Sequence, residues 1–250
     1  MSEKKVIKFQ VKRQLSPKDK PFWEDYEMDY RPSLNVITLL MEQNAYPTKR
    51  CGSKSTPVSY SANCLEEVCG ACTMKINGEV RQACTALVDK LKQPIKIEPL
   101  SKFPVERDLH VNRDKMFDNL KEIQGWIPVS VYSPIGEGPK LSPSVQEKAY
   151  NFSECMTCGC CLESCPQWSS TDNFIGPQAI AQAVLFNLHP TGAVLKDQRI
   201  ETLIEKGLNI CGNAQSCEAA CPKNLDLIGA ISEANWQATK DLASNFFGKR

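Results

Sequence analysis

Residues 155–166 read Cys155-Met156-Thr157-Cys158-Gly159-Cys160-Cys161-Leu162-Glu163-Ser164-Cys165-Pro166. In a run spaced C-x2-C-x2-C-x3-C-P, the first three cysteines hold one cubane iron–sulfur cluster. The fourth, before the proline, ligates a different cluster. The run therefore demands a second set of cysteines downstream. A shift of 211 − 155 = 56 residues supplies it, carrying Cys155, Cys161, Cys165 and Pro166 onto Cys211, Cys217, Cys221 and Pro222. Crossing of the pre-proline cysteines then gives Cys155, Cys158, Cys161 and Cys221 to a four-iron cluster (4Fe-4S). Cys165, Cys211 and Cys217 remain for the other cluster. Position 214, the counterpart of Cys158, is alanine. A methyl group cannot bind iron, so the spacing predicts a cube lacking one corner, a 3Fe-4S cluster.

A third group lies upstream. Cys64, Cys69, Cys72 and Cys84 are spaced C-x4-C-x2-C-x11-C. The first three match the plant-type pattern for a 2Fe-2S cluster, whose fourth ligand arrives from further along the chain. Gly70 in this loop allows close backbone approach. A four-cysteine zinc site is the competing reading, but such sites are built from paired C-x2-4-C halves and only one such pair is present here. The three groups use 4 + 4 + 3 = 11 of the 13 cysteines, leaving Cys51 and Cys160 without an assigned ligand role. Disulfides are disfavoured because the count is odd and the N-terminus lacks the apolar stretch of an export signal.

The composition fits a folded chain and no specialised polyanion binder. Of 250 residues, 42% are hydrophobic and 24% charged, and Lys+Arg 30 against Asp+Glu 29 leaves a net charge of +1. Nothing in that balance points to nucleic acid. No apolar run approaches the roughly 18 residues of a membrane-spanning helix. No nucleophile–base pair, phosphate loop or dinucleotide fingerprint stands out, and the two histidines, His110 and His189, read as surface or packing residues. Many cluster ligands and few acid–base groups point to electron transfer, with the chemistry at either end on other subunits or cofactors. A stand-alone multi-cluster carrier is the alternative of a different class.

The elements that must position these cysteines are legible in part. Residues 5–11 and 21–29 predict strands, and a helix is expected from about Leu34 to Asn44 with Ser33 as its cap. Asn77-Gly78 between Thr73–Ile76 and Glu79–Ala83 predicts a hairpin with a type I′ turn, which would deliver Cys84. A last strand is expected over 94–98. Beyond Pro99 the texture turns helical: helices are predicted over 108–123, 178–188 (opened by Pro177), 197–206 and 225–246. A Pro- and Gly-rich connection lies over 124–143. The change of texture sets a boundary near 105, with mixed α and β before it and mainly helix after it.

With these motifs in order, the chain closely resembles the iron–sulfur subunits of succinate dehydrogenase and fumarate reductase (respiratory complex II). The resemblance spans nearly the whole chain. It rests on Cys64-Leu-Glu-Glu-Val-Cys69-Gly-Ala-Cys72, the run 155–166, Phe174-Ile175-Gly176-Pro177, and Cys211-x5-Cys217-x3-Cys221-Pro222. It implies an α+β chain, with an N-terminal plant-type ferredoxin (β-grasp) domain over 1–105 and a mainly α-helical bacterial-ferredoxin-type domain over 106–250. It implies a flavoprotein partner whose covalent FAD oxidises succinate. Electrons would enter at 2Fe-2S, pass 4Fe-4S and leave from 3Fe-4S. A membrane-anchor subunit, often a cytochrome b with haem b, would bind the quinone. The chain would sit peripherally on the cytoplasmic side of the cell membrane, in a bacterial setting. Working direction, succinate oxidation or fumarate reduction, is left open. In many members a proline and a tryptophan after the crossing cysteine, and a histidine after the first cysteine of the last group, flank the quinone. Here Pro166 and Trp168 stand for the first two. The histidine position holds Gly212, which points instead to transfer through anchor haem, with menaquinone bound elsewhere.

Overall fold

A computed structural model of the chain describes residues 5–128 and 139–247. The centre of the connection expected over 124–143 lies outside the described residues. The chain forms two compact units. One comprises 1–113 with 156–163, the other 114–155 with 164–250.

The first unit is a five-stranded mixed sheet with one helix on it. Strands β1 (Val6–Arg13), β2 (Phe22–Asp29), β3 (Thr73–Ile76), β4 (Glu79–Gln82) and β5 (Ile95–Glu98) lie in the order β2-β1-β5-β3-β4. β1 and β5 are parallel, and the other neighbours are antiparallel. Alternation along β1 sends Ile7, Phe9 and Val11 into the core. Helix α1 (Val36–Ala45) adds Val36, Ile37, Leu39 and Leu40 to it. The cap of α1 is Asn35 rather than Ser33. Asn35 is extended by a bridge to Leu87, and its Oδ1 accepts from Thr38 N at 2.8 Å. Asn77 and Gly78 take φ +52° and +88°, as the hairpin turn requires.

The helix expected from 108 begins later. A short hairpin, β6 (Val105–Arg107) and β7 (His110–Val111), comes first, and helix α2 runs Asp114–Glu122. Asp108 explains the difference. Its carboxylate accepts from Arg13 Nε at 2.9 Å, Gln14 N at 3.1 Å and Ser59 N at 2.9 Å, so tertiary bonds hold it in a turn at φ +51°. Arg13 also pairs with Glu24 and reaches Tyr26, Thr56 and Pro57, which ties the sheet edge to the chain entering the cysteine loop.

In the second unit, α2 is joined by α3 (Pro143–Ser153), α5 (Pro177–Leu188), α6 (Lys196–Glu205) and α8 (Leu227–Phe247). Short helix α7 (Ser216–Ala219) carries Cys217 here, while the short helix α4 (Cys160–Ser164), with Cys160 and Cys161, lies almost wholly in the first unit. Helix α5 buries residues on most of its circumference, including Ala179, Ile180, Ala183 and Val184, as a central helix must. Helix α8 buries the stripe Leu227, Ala230, Ala234 and Ala238 at helical spacing. Among the described residues no helix is long and apolar enough to cross a membrane.

Candidate metal centres

The loop 64–72 is shaped to hold thiolates. Leu65, Glu67 and Gly70 have φ of +63°, +59° and +69°, which turns successive amides inward. Val68 N and Cys69 N each donate to Cys64 Sγ at 3.3 Å, and Glu66 N does so at 3.5 Å. Ala71 N donates to Cys69 Sγ at 3.4 Å. The amides of Glu66 and Val68 bring the Cys64 thiol down to about 7. Cys84 follows β4, where Ala83 N donates to Cys72 O and sets the two cysteines together. Burial, and then the neighbouring Cys72 thiol, push Cys84 up to about 12. Metal cations relieve both costs of a buried thiolate group, so donors and acceptors in this loop fit an iron–sulfur cluster.

Residues 156–163, with Cys158 and Cys161, pack into the same unit. The backbone of Gly70 is what permits this. A Cβ there would lie 2.7 Å from Cys158 Cα and 2.9 Å from Met156 O. Glu163 fastens the end of the segment, accepting from Ser101 N at 2.9 Å and Lys102 N at 3.1 Å. Cys160 is fully buried between Cys158 and Cys161. Gln82 Nε2 donates to its sulfur at 3.5 Å and to Thr73 Oγ1 at 2.9 Å. A hydrogen bond from Cys160 brings Cys158 down to about 7, and the same bond, with burial, raises Cys160. Cys51, the other unassigned cysteine, is exposed beside Ser53. Cys155 and Cys221 belong to the second unit.

Within the second unit, Cys165, Cys211 and Cys217 line one small cavity together with Ala214. Ala214 stands in a loop whose backbone repeats that around Cys158. Thr157 and Gly159 have φ +53° and +86°; Asn213 and Gln215, each 56 residues on, have +52° and +59°. Leu162 N and Glu163 N bond Gly159 O, as Glu218 N and Ala219 N bond Gln215 O. Ser216 Oγ donates to Ser164 O at 2.9 Å, joining the second loop to the crossing segment. Pro166 and Gln167 line the cavity, whereas Trp168 is buried and not among its lining residues. A Cβ on Gly212 would meet the Gln167 amide at 2.8 Å, so Gln167 lies over the position where a larger residue would project. Among the described residues no three His, Cys, Asp or Glu side chains converge on a point suited to a single metal ion. That geometry belongs to mononuclear sites, while a cluster shares its cysteines among several irons.

Two family models match the cysteine-bearing stretches of the chain. Residues 8–118 match the 2Fe-2S iron-sulfur cluster binding domain, and residues 151–225 match the 4Fe-4S dicluster domain. The succinate dehydrogenase iron-sulfur subunit of Bacillus subtilis (strain 168) is 48% identical over 249 residues, 99% of this chain and 98% of the relative. The chain belongs to the iron–sulfur subunits of succinate dehydrogenase and fumarate reductase. A fumarate reductase iron-sulfur subunit of Haemophilus influenzae is 32% identical over 86% of this chain and 90% of its own length. A chain of the Mycobacterium smegmatis Sdh1 complex in the apo form has the same fold, with a TM-score of 0.78 over 95% of this chain and 97% of that one at 20% identity.

An iron–sulfur subunit of this family is an electron-transfer subunit, and both of its cluster-binding domains are present. Motif reading picks out the cysteines but passes over Gln82, Glu163 and Arg113, which hold the loops in place. Their partners lie 78, 62 and 45 residues away, too far for any local pattern to mark them.

Proposed function

We propose that this subunit relays electrons from the FAD of a flavoprotein subunit to a membrane quinone, working as part of a succinate:quinone oxidoreductase. The observation that carries the reading is the cavity where Cys165, Cys211 and Cys217 meet Ala214 on the same backbone station as Cys158. The proposed ligand sets are Cys64, Cys69, Cys72 and Cys84 for 2Fe-2S; Cys155, Cys158, Cys161 and Cys221 for 4Fe-4S; and Cys165, Cys211 and Cys217 for 3Fe-4S. When bound, the three clusters supply one-electron carriers whose different types permit graded potentials.

The chain's own residues do the rest. Amides of the loop 64–72 hold thiolate charge, and the αL positions keep those amides aimed inward. Leu65 and Val68 are exposed on this loop and suit contact with the flavoprotein. Pro166 lines the cavity of Cys165, Cys211 and Cys217 and Trp168 is buried two residues on, so the cytochrome b anchor with its haem b is assigned to this face, and the quinone is reached through it. The assignment of domains, 1–105 for the entry centre and 106–250 for the other two, belongs to the same reading, as does a peripheral position on the cytoplasmic face of the cell membrane. Succinate oxidation is the favoured direction because the 48% relative is a succinate dehydrogenase subunit.

The test is EPR on anaerobic membranes, oxidised and then reduced with succinate. A three-iron signal present when oxidised and lost with succinate is expected. In Ala214→Cys that signal should be replaced by a four-iron one, with succinate–quinone turnover down roughly tenfold as the cluster type and its potential change. A three-iron signal persisting unchanged in that variant would sink the ligand pairing.

A further inference from the structure

Arg113 stands just before α2, at the end of the first unit's main stretch of chain. Its guanidinium is half-buried and its fork is used on main-chain carbonyls. Nη1 donates to Gly70 O at 2.8 Å and to Cys158 O at 3.3 Å. Nη2 donates to Ala71 O at 2.9 Å and to Thr73 O at 3.5 Å. Gly70 and Ala71 separate Cys69 from Cys72, and Thr73 follows Cys72. Cys158 is the middle cysteine of the run 155–161. One planar cation thus bonds two cysteine loops that also touch, with a Cβ on Gly70 reaching within 2.7 Å of Cys158 Cα.

Two physical consequences follow. An arginine is charged at every accessible pH, and carbonyl dipoles bond it without neutralising it. Partial burial lowers the screening of that charge, so it acts on nearby sulfur more strongly than a surface lysine would. Adding an electron to a site beside a fixed positive charge is favoured.

We infer that Arg113 is a positioning residue shared by the two cysteine loops, fixing their separation and holding a permanent positive charge that favours the reduced form of the cluster in each. The inference rests on the cluster reading proposed above. Glutamine or methionine removes the charge. Lysine keeps it but cannot reproduce a rigid fork over several carbonyls.

The experiment is potentiometric EPR titration of the complex in membranes, comparing the unsubstituted subunit with R113K, R113Q and R113M. The signal assigned to Cys165, Cys211 and Cys217 serves as internal reference. In R113Q and R113M the reduction equilibrium of the two-iron and four-iron centres is expected to fall at least tenfold, about 59 mV for a one-electron couple. The four-iron centre should move more, because Arg113 bonds the carbonyl of its ligand Cys158 itself. R113K should stay within about threefold of the unsubstituted equilibrium, since it retains the charge. Unmoved potentials in R113Q with both centres assembled would overturn the inference and leave the cluster reading intact. If the unsubstituted complex lacks two-iron and four-iron signals, it is the cluster reading that fails. If neither neutral variant assembles its centres, R113K decides. Assembly with near-native potentials supports the role of charge, and failure of R113K as well overturns it.

Discussion

Two cysteine loops of this chain, 155–165 and 211–221, follow one backbone course and differ in the side chain at its centre. Left-handed residues flank position 158 and position 214 alike, and the same pair of amide bonds opens the short helix that follows each. Where the first loop presents Cys158, the second presents Ala214. On the proposed ligand sets, a loop's backbone is retained while its metal capacity changes by one ligand. The nest of amides and the turn into the helix do not depend on the central thiol. The iron count does, because each corner of a cubane needs its own protein ligand.

The comparison is tested most severely by making the first loop like the second. Cys158→Ala should leave the backbone in place and remove one ligand from the proposed 4Fe-4S set. Succinate–quinone turnover should drop at least roughly 100-fold, the upper end of losses seen when even outer-shell support of a metal is removed. Iron analysis should find fewer irons per complex. An iron content equal to that of the unsubstituted protein would contradict the assignment.

A second perturbation strikes the support of the first loop rather than its ligand. Gly70 is at φ +69°, and any side chain there meets the Cys158 backbone. Gly70→Ala should cost about 2–4 kcal/mol from backbone strain and overpacking together. Thermal unfolding should report the loss, and the EPR signals of the two-iron and four-iron centres should fall together. Loss of the two-iron signal alone would mean that the contact with Cys158 has no bearing on the run 155–161.

Acid separates failure of the scaffold from failure of either loop. Burial alone would raise the Glu24 carboxyl, but Lys49, Tyr26, Ser55 and the Arg13 charge bring it down from 4.5 to about 2. A carboxyl whose folded value is depressed contributes its stability above the unfolded value, and that contribution is lost as the pH falls from about 4.5 through about 2. The shift corresponds to at most about 3 kcal/mol. Glu24→Gln should lower stability at neutral pH by up to that amount and flatten the pH dependence of unfolding over that window. An unchanged acid limb would show that this ion network does not govern the first unit's acid stability.

How much could be read beforehand follows from the range of each interaction. The proposed ligand sets and the Ala214 gap are written in local spacing, and so is the Asn77-Gly78 hairpin, whose turn needs two residues tolerant of positive φ. The cap at Asn35 depends on a bridge to Leu87, and the 105–111 hairpin on Asp108 meeting Arg13 across 95 residues. No window on the sequence contains both partners. The αL pairs at 157/159 and 213/215 lie between these cases. Gly159 and Asn213 suit such φ, but Thr157 and Gln215 carry no local signal for it and are held there by the loop.

That difference between Gly159 and Gln215 gives the finest test of the comparison. Both residues precede a short helix and both accept its first amide bonds. Gly159 takes φ +86° without a Cβ, while Gln215 holds φ +59° with one. If the two loops are the same device, glycine at 215 should be welcome. Gln215→Gly removes a left-handed strain but frees the unfolded chain, and these opposing effects are each of order 0.5–1 kcal/mol. The net change in thermal unfolding should therefore stay within about 1 kcal/mol, and the three-iron signal should be unaltered. Gly159→Ala gains by restricting the unfolded chain, but a Cβ at φ +86° costs more than that gain, so it should destabilise by about 1 kcal/mol net. Loss of the three-iron signal in Gln215→Gly would mean that the Gln215 side chain, and not the backbone course it shares with Gly159, holds the second loop together.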